Sequence, residues 1–144
     1  IITTCDGIYV RSAEQIVYVE TSQRKTLVHT LDGVFTSQKN IDYWRKTLSL
    51  PCFFSTHRSF IVNMRFIYCI KKDAVQLCYQ GKTAEIFLSR RRYTEFKNTY
   101  LIYLESTKWY MKKYLIAFFF ALNLLLHGYI MIISFYLKKQ GNIN

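Results

Sequence analysis

Residues 114–137 hold no charged side chain, and this run limits what the chain can become more than any other stretch. Twenty-four residues at about 1.5 Å of helical rise each exceed the roughly 30 Å of a bilayer's hydrocarbon layer. Lys112, Lys113, Lys138 and Lys139 bracket the run, and Trp109, Tyr110, Tyr114 and Tyr136 stand where aromatic residues anchor a span at the membrane interface. The expected element is one transmembrane helix, with Tyr114, Phe119, Leu125, Ile132 and Leu137 along its length; two passes do not fit. A core or dimerisation helix of a soluble protein is the competing reading. Phe118, Phe119, Phe120, Leu124, Leu125 and Leu126 cover all faces, more than a small domain can bury.

What remains is one ordinary domain's length, carrying 18 basic against 9 acidic residues in 1–113, a net charge of +9. Such a surface suits a polyanion, either nucleic acid or an anionic membrane face. Beside a span, this excess favours a cytoplasmic position for the domain. Cys5, Cys52, Cys69 and Cys78 form no CxxC pair and have no histidine at ligand spacing, so they read as free thiols, not a disulfide framework or metal site. The first residue is Ile1, with no charged and apolar leader pattern after it, which argues against a secretory signal and leaves room for a further domain upstream.

The domain itself reads as mainly β. Short β-branched and aromatic pieces at 8–10 and 16–19 are followed by alternation from Thr26 to Leu31, with Leu27, His29 and Leu31 on one face. Asp32-Gly33 is expected to supply the positive-φ positions of a tight turn into Val34-Phe35-Thr36. Ile41, Trp44 and Leu48 form one helical stripe after the N-cap candidate Asn40, and Pro51 is expected to stop that helix. Further strands are expected at 66–70, 75–79 and 84–88, giving antiparallel sheets with one solvated face. From Tyr93 to Glu105, aromatic residues recur at helical spacing as packing positions.

Two stretches carry the functional signal. In residues 54–63, His57-Arg58-Ser59 is polar and cationic, and Phe60-Ile61-Val62 immediately after it demands burial, which suggests a basic tip on a rigid base. At the end of the last strand, Ser89-Arg90-Arg91-Arg92 crowds three guanidinium groups on a corner, an arrangement that favours a nearby anion. Arg24 and Lys25 lie in a polar connection, where phosphate or base contact and a solvated loop both remain open. His29, a lone histidine in a strand, reads as structural. No catalytic constellation, metal-ligand set or cofactor motif is visible, so no enzyme activity, metal or cofactor is expected.

These stretches resemble the LytTR-type DNA-binding domain, the output module of many bacterial two-component response regulators. The residues that carry the resemblance are Ile16-Val17-Tyr18-Val19-Glu20, the hairpin from His29 to Gly33, Phe53 through Asn63, and Ile86-Phe87-Leu88-Ser89-Arg90-Arg91-Arg92, in order over roughly residues 5–100. The resemblance implies several small antiparallel sheets with one or two short helices, and loops that enter successive major grooves of duplex DNA. By position, Lys25, Arg58 and Arg91 are its base-contacting candidates. His57, Ser59, Asn63, Arg90 and Arg92 are support or phosphate contacts, with Asn63 suited to holding the turn. Phe87-Leu88 departs from the proline-containing run common before the corner, and no receiver domain is present in these residues.

The organisation that follows is a DNA-binding domain at 1–100, a basic and aromatic juxtamembrane helix at 101–113, a span at 114–137 and a short tail at 138–144. The expected function is sequence-specific, membrane-anchored transcriptional regulation. Double-stranded DNA and the membrane are the expected partners; a homodimer on tandem sites and a membrane regulatory partner stay open. The alternative is a membrane-associated interaction or sensor protein whose basic domain binds anionic lipid or a membrane partner.

Overall fold

The computed structural model describes residues 1–141, apart from the side chains of 110, 111, 134 and 137–141. The chain divides into two compact units, Ile1–Tyr103 and Leu104–Asn144. The first unit is mainly β, with strands β1 (Ile2–Thr3), β2 (Ile8–Tyr9), β3 (Ile16–Ser22), β4 (Lys25–Thr30) and β5 (Val34–Ser37). Helix α1 (Ile41–Thr47) follows, then β6 (Phe53–His57), β7 (Phe60–Asn63), β8 (Ile67–Ile70), β9 (Ala74–Tyr79) and β10 (Lys82–Phe87). A 3-10 turn at Arg90–Arg92 leads into helix α2 (Tyr93–Gly141), whose residues from Leu104 onward belong to the second unit.

All strand pairing is antiparallel: β1 with β2, β10-β9-β8, and a five-stranded sheet ordered β5-β4-β3-β7-β6. The central strands of the larger sheet differ from the expectation of one solvated face. Val19 and Ile61 pack into a cluster with Ile2, Val28, Trp44 and Leu48, while Val17, Tyr18 and Val62 join Val75, Leu77, Ile86, Leu88 and Phe96 on the other side. The two-sided burial arises because α1 and β1 cover one face, and the three-stranded sheet with the first turns of α2 covers the other. An irregularity between Ile16 and Tyr18 lets the neighbours Val17 and Tyr18 enter the same cluster.

Helix α1 forms as its sequence suggests. Asn40 Oδ1 accepts the Tyr43 N–H at 2.9 Å, satisfying one of the donors left open at a helix start. Trp44 is buried and its Nε1–H donates to Ser37 Oγ at 3.0 Å, so the indole is packed with its polar atom satisfied. The helix stops at Thr47, ahead of Pro51, with the Leu48 N–H capping back to Trp44 O.

The turns differ from expectation. Asp32 and Gly33 do not adopt positive φ; residues Gln23 (48°) and Arg24 (64°), and Gln80 (48°) and Gly81 (74°), do. Ser22 pairs with Lys25 and Tyr79 with Lys82, so both are two-residue connections of the kind that matches strand twist. The Asp32 turn is closed by side chains instead. Thr30 Oγ1 donates to Asp32 Oδ1 at 2.7 Å, and Arg11 Nη2 reaches Asp32 Oδ2 at 2.5 Å. Lys25 therefore begins a strand and does not lie in a loose connection.

The second unit contains the remainder of α2, which is long and apolar enough to cross a membrane by length and composition. Tyr114, Phe119, Leu125 and Ile132 are exposed along it. The side chains of Tyr110 and Leu137, and the tail assigned to 138–144, lie outside the described side chains.

Candidate nucleic-acid interface

The five-stranded sheet brings two basic tips to one end. Tyr18, Val19 and Glu20 of β3 pair with Val62, Ile61 and Phe60 of β7, and the Thr21 N–H then donates to Ser59 O at 2.9 Å. The turn at Gln23-Arg24 and the connection at Arg58-Ser59 thus leave the sheet together. Lys25 and Arg58 are exposed, and among the described residues neither has an ion pair or side-chain hydrogen bond.

The Arg58 tip is held from several directions. His57 pairs with Phe60, and its Nδ1 accepts the Ser59 N–H at 3.2 Å, which requires that nitrogen to be unprotonated. The His57 ring also meets Phe87 edge-on at 5.1 Å between centroids. Phe87 thus forms a packing surface for the tip, while Leu88 beside it is fully buried. Arg45 of α1 donates through Nε to Ser55 Oγ at 3.2 Å and through Nη2 to Arg58 O at 2.9 Å. Its remaining nitrogen pairs with Asp42. Ser55 and Arg58 lie 10 and 13 residues from Arg45, so no local spacing signal marks it as a brace.

The basic corner is tied to the same strand. The Ser89 N–H donates to Thr56 O at 3.1 Å, and Arg92 donates to Ser55 O while its guanidinium lies 4.8 Å from the Phe54 ring centre. Arg92 also pairs with Glu95 at 3.3 Å. These bonds sit at the break in pairing between Phe54 and His57, where β6 turns its backbone groups away from β7. Thr56 is fully buried there, with its hydroxyl unpartnered. Arg90 and Arg91 are exposed, and neither side chain has a partner among the described residues.

The structure therefore sorts the residues expected at the interface. Among the described residues, Arg58, Arg90 and Arg91 are free cations on two neighbouring connections, and Lys25 is a free cation at the start of β4, beside the turn at Gln23-Arg24. His57 and Arg92 spend polar atoms on holding them, and Ser59 supplies backbone groups to both the tip and β3. Asn63 is a correction to the contact set. It is fully buried, its Nδ2 donates to Ile16 O at 2.8 Å and its Oδ1 accepts the Arg65 N–H at 3.2 Å. A buried amide with both ends used has nothing left for DNA. His29 is structural as expected, stacked on Tyr18 at 3.8 Å and 2.8 Å from Glu20; burial lowers its pKa, against the opposing pull of Glu20.

No cluster of three or more His, Cys, Asp or Glu residues among the described residues is arranged to hold a metal ion. The arrangement defines a β-rich domain that presents guanidinium and ammonium groups on loops, a chemistry suited to phosphate and to guanine edges. The sequence model of the LytTr DNA-binding domain matches residues 6–100, and the chain belongs to that family. A solved structure described as the LytTr DNA-binding domain of a methyl-accepting/DNA response regulator from Bacillus cereus is similar to it. That similarity has a TM-score of 0.56 and 24% identity over 68% of this chain and 92% of the other, and supports the shared fold. No curated protein sequence matches the chain.

Proposed function

We propose that this protein is a membrane-anchored transcriptional regulator of the two-component type that reads duplex DNA with Lys25, Arg58 and Arg91. The observation that supports this most is the convergence, at one end of a sheet, of Lys25 at the start of β4 and two connections bearing unpaired cations, with Arg45, His57 and Arg92 bracing those two. Arginine can engage guanine O6 and N7 together, so Arg58 and Arg91 are assigned to base edges. Lys25 is the third base-contacting candidate, Arg90 and Ser59 serve backbone contact, and His57 and Arg92 position the others. In this reading the DNA-binding domain occupies 1–100, a juxtamembrane helix 101–113 and the anchor 114–137, with the domain in the cytoplasm. A dimer on tandem sites and a membrane partner that controls access are compatible additions.

Selection from a randomised duplex library by the full chain in neutral detergent tests the reading. A defined motif is expected, with affinity falling steeply as salt rises. Equal binding to every duplex and to anionic vesicles would instead favour a lipid-binding basic domain. Orientation is checked with a membrane-impermeant maleimide, because Cys5 and Cys78 are exposed. Labelling in inverted but not right-side-out vesicles is expected.

A further inference from the structure

Lys72 lies on the connection between β8 and β9, a segment to which neither the charge pattern nor the family resemblance assigned a role. The connection is fixed beside the basic corner: Asp73 O accepts the Leu88 N–H at 2.8 Å, the Lys71 N–H donates to Ala74 O at 2.8 Å, and Ala74 pairs with Phe87. Lys72, Asp73, Arg90 and Tyr93 line an open cavity of about 620 Å³. The two lysines of the connection have different employment. Lys71 Nζ is engaged by Glu85 Oε2 at 3.0 Å, whereas Lys72 and Arg90 have no ion pair among the described residues. With Asp73 the only acid among the described residues of the rim, these side chains leave the cavity a net positive charge, and Tyr93 adds a phenol to its lining.

We propose that this cavity is a seat for one phosphate of the DNA backbone, held between Lys72 and Arg90. The inference rests on the DNA-binding reading and extends the contact surface to a further connection. Lysine is a compact, hydrated point charge on a flexible stem, suited to a phosphate oxygen and poorly suited to distinguishing bases. Lys72 would therefore contribute affinity without sequence preference, unlike Arg58 and Arg91. Asp73 limits the seat to a single phosphate by offsetting one of the two cations, and its backbone carbonyl keeps the connection in register with the corner.

The test uses the full chain in neutral detergent, with a preferred duplex and a scrambled one, across a salt series. For Lys72→Ala, the slope of log affinity against log salt should become shallower by about 1. Between about 50 and 200 mM salt, affinity for both duplexes should then fall about 3-fold less than for the unaltered chain. Lys72→Arg should restore the slope. Lys82→Ala, at the start of β10 opposite the far end of β9, removes the same charge and should leave it unchanged. An unchanged slope in Lys72→Ala, a loss confined to the preferred duplex, or an equal effect from Lys82→Ala would overturn the assignment. If the unaltered chain shows no sequence preference yet Lys72→Ala still flattens the slope, base reading fails while the phosphate seat stands. Absence of any DNA binding removes both.

Discussion

The two ends of the five-stranded sheet treat arginine in opposite ways. At the end where β3 begins and β4 turns into β5, Arg11 is paired with Asp32 and Arg65 with Glu14. At the other end, Arg58 and Lys25 stand exposed and unpaired among the described residues, and the arginines that are engaged brace β6 and the tip after it: Arg45 donates to Ser55 Oγ and Arg58 O, and Arg92 donates to Ser55 O. The same side chain closes turns at one end and is held available at the other. Acids contribute to the difference: Asp32 and Glu14 pair with Arg11 and Arg65 at the first end, whereas at the second Asp42 and Glu95 pair only with the bracing residues Arg45 and Arg92, and Glu20 is engaged by His29 at 2.8 Å.

The largest effect expected from breaking this asymmetry comes from the available cations. Arg58→Ala and Arg91→Ala should each weaken binding to a preferred duplex by about 1–3 kcal/mol. Together they should approach the sum if the two contacts are independent. Competition assays against scrambled DNA measure this, and losses equal on both duplexes would assign the two residues to phosphates. At the closed end, Asn63→Ala leaves Ile16 O and the Arg65 N–H without their buried partner, and should cost about 1–3 kcal/mol of stability in denaturant titration. An unchanged midpoint would return Asn63 to the list of available groups.

Arg92→Ala removes the bond to Ser55 O and the contact with Phe54. Because Arg92 is about one-third exposed, a cost of about 1 kcal/mol is expected, with weakened binding even though Arg90 and Arg91 remain. Lower affinity with stability unchanged would mean that Arg92 touches DNA itself. The smallest effect belongs to the Arg11–Asp32 pair. Hydrogen bonding first from Arg11 and then from Thr30 lowers the Asp32 pKa to about 2 from 3.8. A carboxylate depressed in the folded state stabilises above the unfolded pKa and loses that contribution as pH falls toward the folded value. Stability should therefore decline modestly between pH 3.8 and about 2, and Arg11→Ala should flatten that decline in thermal melts. An unaltered pH profile would show that Asp32 closes its turn through Thr30 alone.

Much of this asymmetry was legible in the residues, because its signals are local. His57-Arg58-Ser59 before an apolar triplet, three consecutive arginines after a strand, and Asn40 before the Ile41-Trp44-Leu48 stripe each show within one window of sequence. What could not be read involved distance along the chain. Arg45 and Arg92 act on β6 from other elements, Asn63 is buried by a bond to Ile16, and β3 loses its solvated face because α2 and the smaller sheet arrive from later in the chain. The two residues of β1 are too short to show alternation, although Ile2 is buried. Asp32-Gly33 carried the strongest local turn signal, yet side-chain bonds from Arg11 and Thr30 made positive φ unnecessary there.

The turn at Gln23-Arg24 sets stability against recognition. Both residues occupy the left-handed region, which costs an ordinary side chain about 1 kcal/mol and glycine almost nothing. A variant with glycine at position 24 would accordingly be favoured by selection for thermal endurance alone. It would also have one fewer cation beside Lys25, so a chain optimised in that way would gain robustness while losing some of its hold on a polyanion.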